Sequence, residues 1–135
     1  MGRWMRKQQL MPDQIVSSPA KRAEQTTLRA CKFAGIPEAL VVWEQAIYEA
    51  DVPALLRILA QCPPEKKRVM IVGHNPGFED LVDYLGGGVE LPPDGKLMPT
   101  AALARLEMPE QWNNLERGCA RSVSITRVRD LQARP

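Results

Sequence analysis

Two short stretches of this sequence join an apolar run to a polar residue and a proline. One is Ile15-Val16-Ser17-Ser18-Pro19 and the other is Ile71-Val72-Gly73-His74-Asn75-Pro76. Ser or Asn ahead of Pro starts helices, because the side chain accepts an orphan N–H and Pro has none to waste. Each stretch therefore reads as a strand that turns into a helix. In a parallel sheet the two strand ends share one edge, which is where α/β ligands bind. Both helix N-termini then aim free N–H groups and positive dipole ends at the same space, and that suits an anion. Arg22 falls in the first turns of the first helix, where a guanidinium can fork onto phosphate oxygens. His74 can donate to an anion or protonate it, and Gly73 lets backbone approach closely. Ser17 and Ser18 add hydroxyl donors. Singly, each feature is an ordinary capping device or a solvated side chain. Together on one edge they make an oxyanion or phosphate site.

The composition narrows the chemistry. The chain has 135 residues, 44% apolar and 25% charged, which fits a single globular domain over 1–135. His74 is the only histidine. That excludes any mechanism needing two histidines from this chain, and His-rich metal sites with it. Cys31, Cys62 and Cys119 are odd in number, widely spaced and without a C-x-x-C. They read as reduced thiols of a cytoplasmic protein, not as a disulfide framework or a zinc site. No cofactor and no metal are expected. A net charge of +2 is too small to argue for nucleic acid. The arginines near the end (Arg117, Arg121, Arg127, Arg129, Arg134) read as a solvated face without an aromatic platform. No apolar run approaches the ~18 residues of a membrane span, so no membrane partner is expected.

The elements that must hold the site can be read in outline. A weak helical period covers Gly2 to Gln9, with no capping residue ahead of it. Gln14 to Ser17 is a short strand. A helix follows from Pro19 to about Ala34, ended by Gly35. Leu40 to Trp43 is a second strand, an edge candidate. Val52 to Ala60 is a helix with Leu55, Leu56 and Leu59 as its buried stripe. Val69 to Gly73 is a continuous apolar run and predicts a central parallel strand, buried on both faces. Asn75-Pro76 should cap and begin a helix running to about Leu85, ended by Gly86 to Gly88. Strands are expected over Thr100 to Met108 and Ser122 to Val128, with Pro109 opening a turn or hairpin connection to Gly118. Strands alternate with helices, so the class is α/β with a mostly parallel sheet.

Several of these segments resemble a known family. Val16-Ser17-Ser18-Pro19-Ala20-Lys21-Arg22-Ala23-Glu24-Gln25-Thr26 is similar to the V-S-S-P-x-x-R-A-x-Q-T segment of the histidine phosphatase superfamily, the phosphoglycerate-mutase-like proteins. Val72-Gly73-His74-Asn75-Pro76 resembles the segment that carries that family's second histidine. Leu97-Met98-Pro99-Thr100-Ala101-Ala102-Leu103-Ala104 and Tyr48-Glu49-Ala50 resemble two further segments of its SixA-type phosphohistidine phosphatase branch. The resemblance implies a three-layer α/β/α fold and a two-step phosphoryl transfer without a metal. A nucleophilic histidine takes the phosphoryl group, and water then hydrolyses the phosphohistidine. Arginines and a second histidine stabilise the charge on the phosphoryl oxygens. By position, Arg22 matches one arginine and His74 the second histidine, and these are the expected catalytic residues. Asn75 would cap the helix behind His74, and Thr100 would line the pocket. Glu49 is the nearest candidate for a general acid. Ser17, Ser18, Asn75, Thr100 and Glu49 make up the expected substrate-binding set. The implied partner is a phosphate-bearing substrate, such as a phosphohistidine protein of a phosphorelay.

One part of the family pattern has no counterpart. Its nucleophile sits in an R-H-G or R-H-A segment on a central strand, and this chain has no such segment. The expectation is a truncated member of the family that lacks its first, central strand and is inactive as given. The alternative is a non-catalytic phosphate- or phosphoprotein-binding module on the same scaffold. A sheet with a missing strand leaves unpaired backbone groups, at about 1–3 kcal/mol each. Against a total stability of ~5–15 kcal/mol, several such groups matter. The chain alone is therefore expected to be unstable or to self-associate. Scanning calorimetry with sedimentation checks this: a cooperative, reversible melt of a pure monomer is the outcome that contradicts it.

Overall fold

A computed structural model describes residues 2–90, 98 and 102–127. Helix α1 (Gly2–Lys7) is followed by strand β1 (Gln14–Ser17) and helix α2 (Lys21–Ala34). Strand β2 (Val41–Trp43), helix α3 (Val52–Ala60), strand β3 (Val69–Val72) and helix α4 (Gly77–Gly86) come next. Strands β4 (Ala102–Glu107) and β5 (Ser122–Arg127) complete the described elements. Short 3-10 turns at Glu38–Leu40 and Gln45–Ile47 flank β2. The fold is α/β, as expected, with β1, β2 and β3 in one parallel sheet of order β2-β1-β3. β4 and β5 pair antiparallel in a separate two-stranded ribbon.

β1 has a bonded neighbour on each edge, and alternate side chains bury into opposite layers. Ile15 packs with Cys31, Ala34 and Ile36 on the α2 side. Val16 packs with Leu55, Leu59 and Leu85 on the side of α3 and α4. α1 lies against α2, and α3 against α4, so helices cover both faces of the parallel sheet. This is the three-layer arrangement. α2 ends at Gly35, whose φ of 75° and N–H bond to the Cys31 carbonyl make the left-handed cap read from the sequence. α3 starts on Asp51, which accepts a hydrogen bond from the Ala54 N–H at 3.0 Å.

Four expectations need correction. Among the described residues β3 is not central: it pairs there only with β1, and all four of its residues are half-buried. Its apolar run matches a strand covered on both edges, but among the described residues its second edge has no bonded neighbour. Ser18 and Pro19 do not start α2. The helix begins at Lys21 after Ala20, and Ser18 Oγ accepts from the Ala20 N–H at 3.2 Å just ahead of it. Asn75 does not cap α4, which starts at Gly77 with no side-chain cap. The first helix ends at Lys7, two residues short of what its period suggested, and Gln9 turns left-handed at φ 58°. The strand predicted over Thr100 to Met108 is described from Ala102. Thr100 itself, and the predicted end of the last strand at Val128, lie outside the described residues.

The parallel register is pinned at its start by Asp13. Its carboxylate accepts from the Lys67 N–H at 2.9 Å and the Arg68 N–H at 3.1 Å, and its own N–H donates to the Arg68 carbonyl. Burial opposes ionisation of Asp13, but these N–H donors and the Lys66 ammonium outweigh it and hold the carboxyl below its usual value of 3.8. A depressed folded value means the unfolded chain takes up the proton first. The contribution is therefore present above the unfolded value and lost as pH falls through the folded one. Asp13→Asn is expected to flatten the acid arm of the stability–pH curve below about pH 4, read by urea unfolding at a series of pH values. An unchanged acid arm would remove Asp13 from that role.

Candidate functional site

The register of β1 against β3 sets Ser17 beside Val72, and the Ser18 N–H bonds the Val72 carbonyl at 3.0 Å. The chain leaves both strands at that level. On one side it passes through Ser18 into α2, and on the other through Gly73 and His74 into α4. The two side chains meet: His74 Nε2 lies 2.9 Å from Ser18 Oγ, in a part-buried contact. Ser18 is fully buried, while His74 is half-buried. The Ser18 oxygen thus faces two groups, the Ala20 N–H and the His74 ring. It works as a post between the start of α2 and the histidine loop.

Arg22 stands exposed on the first turn of α2, just beyond Ser18. Among the described residues no hydrogen bond or ion pair engages its guanidinium, so its donors are available to an anion. The structure therefore brings Ser18 and His74 into contact and sets Arg22 on the adjoining helical turn. Ser17 has another use. It is fully buried, its hydroxyl lies 2.7 Å from Thr27 Oγ1, and it donates to the Ser18 carbonyl at 3.0 Å. That bond ties β1 to α2 from within. Glu49 is exposed, at a left-handed φ of 56° in the turn after β2.

Asn75 leaves the backbone N–H groups of α4 uncapped and reaches only the Glu79 carboxylate on that helix, at 3.5 Å. Its side-chain amide donates to the Met98 carbonyl at 2.6 Å, and Glu79 Oε1 accepts from the Met98 N–H at 2.9 Å. Together they grip one residue of a distant segment from both sides. Thr100, two residues further on, lies outside the described residues. The Tyr48 ring stands edge-to-face with the His74 ring, centroids 5.6 Å apart and planes at 84°. Neither the Met98 grip nor the tyrosine contact follows from residue spacing. The Ser17–Thr27 pair left a trace, because a threonine on a buried helical stripe must find a hydrogen-bond partner. Burial raises the Cys31 and Cys62 thiols above their ordinary value, which keeps both protonated and unreactive. Among the described residues no cluster of metal-ligating side chains occurs, and no helix is long and apolar enough to cross a membrane.

No family model matches the sequence, and no curated protein matches it either. Solved structures do. The SixA protein of Agrobacterium tumefaciens, assigned as a phosphohistidine phosphatase, is 33% identical over 61% of this chain, with a TM-score of 0.53. A protein of Nakamurella multipartitia with the same assignment is 26% identical over 91% of this chain and 76% of its own, with a TM-score of 0.68. The chain is thus similar in sequence and fold to SixA phosphohistidine phosphatases. A protein histidine phosphatase SixA complexed with tungstate adds support for the fold alone, at 22% identity and a TM-score of 0.69 over 87% of this chain. The chain spans about half the length of the Agrobacterium SixA, 51%.

Ser18→Ala removes the acceptor that holds both the Ala20 N–H and the histidine ring in this SixA-like scaffold. The expected result is a loss of about 1–2 kcal/mol in urea unfolding, with a shifted and broadened His74 signal in the proton spectrum. A sharp, unshifted His74 signal would mean that the Ser18 contact does not order the ring.

Proposed function

We propose that this chain carries the phosphate-binding half of a SixA-type phosphohistidine phosphatase. Its ligand is a phosphoryl group on a histidine or a small phosphomonoester. The observation that carries the reading is the His74–Ser18 contact at the edge where α2 begins, with the unengaged Arg22 guanidinium on the next turn. Arg22 forks onto two phosphoryl oxygens, and its charge offsets theirs. His74 donates a hydrogen bond to a third oxygen or to the bridging atom. The N–H groups that open α2 face the same anion. These groups stabilise the charge that grows on the equatorial oxygens during transfer.

The transfer itself needs a nucleophile. In the family-type reaction an imidazole nitrogen bonds to phosphorus as the leaving group departs, and water then returns the phosphoryl group as orthophosphate. His74 is engaged with the oxygens, and the 135 residues hold no second imidazole. The chain alone therefore binds the anion and does not turn over. A histidine supplied from outside these residues makes the whole protein a phosphatase. Without one, the same geometry is a phosphate-binding module. The intact mass of the protein from its native source separates the two.

Tungstate, a phosphate mimic bound by a SixA relative, is a suitable probe. Isothermal calorimetry should show it binding to the 135-residue chain, with Arg22→Ala weakening it by about 10–100-fold, the value of a charge-assisted bidentate contact. The same sample should release no phosphate from a phosphomonoester. Turnover that Arg22→Ala abolishes would show that the chain carries its own nucleophile. Equal affinity in wild type and Arg22→Ala would take Arg22 out of the site.

A further inference from the structure

The turn that follows β2 closes on the loop that carries His74 at three points. Ile47 is fully buried against Gly73: a Cβ on that glycine would stand 2.6 Å from Ile47 Cγ2 and 2.5 Å from Phe78 Cε1. Tyr48 meets the His74 ring edge-to-face. Ala50 presses on the start of α4, where a Cβ on Gly77 would run into the Ala50 carbonyl. Between Tyr48 and Ala50 the backbone bends through Glu49, whose left-handed φ of 56° is one that few side-chain-bearing residues adopt. The turn is thus shaped to the histidine loop along its length, with the two glycines making room for it. Tyr48 itself is 52% exposed. It is not there to fill the core, and its ring contact among the described residues is with His74.

We propose that Tyr48 is the positioning residue for His74. The Ser18 hydroxyl fixes one nitrogen of the imidazole but leaves the ring free to swing about that bond. An edge-to-face neighbour fixes the plane. With both in place the ring presents one orientation to the anion, which binding then does not have to select. The role of Glu49 changes accordingly: it is the bend that lets Tyr48 and Ala50 reach the loop together. This inference rests on the reading of His74 as a ligand of the phosphoryl oxygens.

His74 is the only histidine, so its imidazole gives a single reporter signal in a histidine-labelled sample. The test uses the full chain, dilute and cold, as wild type, Tyr48→Leu and Tyr48→Phe, each titrated with tungstate. Urea midpoints are measured alongside to confirm that all three are folded. Wild type should show an Overhauser contact between the Tyr48 and His74 rings. Tyr48→Leu should broaden or shift the His74 signal and weaken tungstate binding by about two- to tenfold, the worth of one aromatic pair. Tyr48→Phe, which keeps the ring, should restore both. Unchanged affinity in Tyr48→Leu overturns the proposal, and so does a Tyr48→Phe variant as weak as Tyr48→Leu. A wild-type His74 signal that ignores tungstate is a different result: it defeats the anion reading. The ring contact and the sharpness of the His74 signal then still decide whether Tyr48 orders the imidazole.

Discussion

The parallel register of β1 and β3 is the constraint on which the site depends. Ser17 lies beside Val72, and the next hydrogen bond runs from the Ser18 N–H to the Val72 carbonyl. Side chains alternate along a strand, so a slip of one residue would send Ser18 and His74 to different levels and turn Ile15 and Val16 toward the wrong layers. Asp13 holds the start of that register, and the Ser18 N–H bond to the Val72 carbonyl holds its end. Between them lie only four residues of strand. A short strand with both ends secured has little freedom to slide, and that keeps two loops distant in sequence within a hydrogen bond of each other.

Around that fixed point the packing is selective about size. Gly73 and Gly77 sit where larger residues would collide with Ile47, Phe78 or the Ala50 backbone. The loop between them is therefore backed by rigid matter on the side away from the anion. On the open side stands Arg22, a long side chain with no partner among the described residues. One polar group is held by contacts and the other is unengaged among the described residues. The fixed histidine supplies direction, while the free arginine supplies reach.

The strand and helix pattern was legible because short apolar runs and their stop signals are local. β1 and α3 lie where the apolar spacing put them, and Gly35 ends α2 as its type requires. The edge shared by Ser18, Arg22 and His74 was legible too, since parallel topology follows from alternation of strands and helices. What the sequence hid was set by long-range contacts. Ser18 and Asn75 look like helix caps, but each hydrogen-bonds a group far along the chain, His74 for one and Met98 for the other. β3 reads as a central strand because its composition is that of one, and composition does not report how many neighbours a strand has. Tyr48 looked like a loop residue because an edge-to-face contact leaves no periodic trace.

β3 leads into His74, yet among the described residues it is bonded on one edge only, and it is half-buried throughout. Local opening is easiest where backbone bonds and buried contacts are fewest. The histidine loop therefore hangs from an edge strand of the parallel sheet as described. An anion of the proposed kind, needing the loop closed, would bind the closed form alone and add to its stability by mass action, as the logarithm of its concentration once above its dissociation constant. Under the proposed reading, ligand occupancy and local folding become one equilibrium at this strand, and a bound anion would act as a folding partner as well as a ligand.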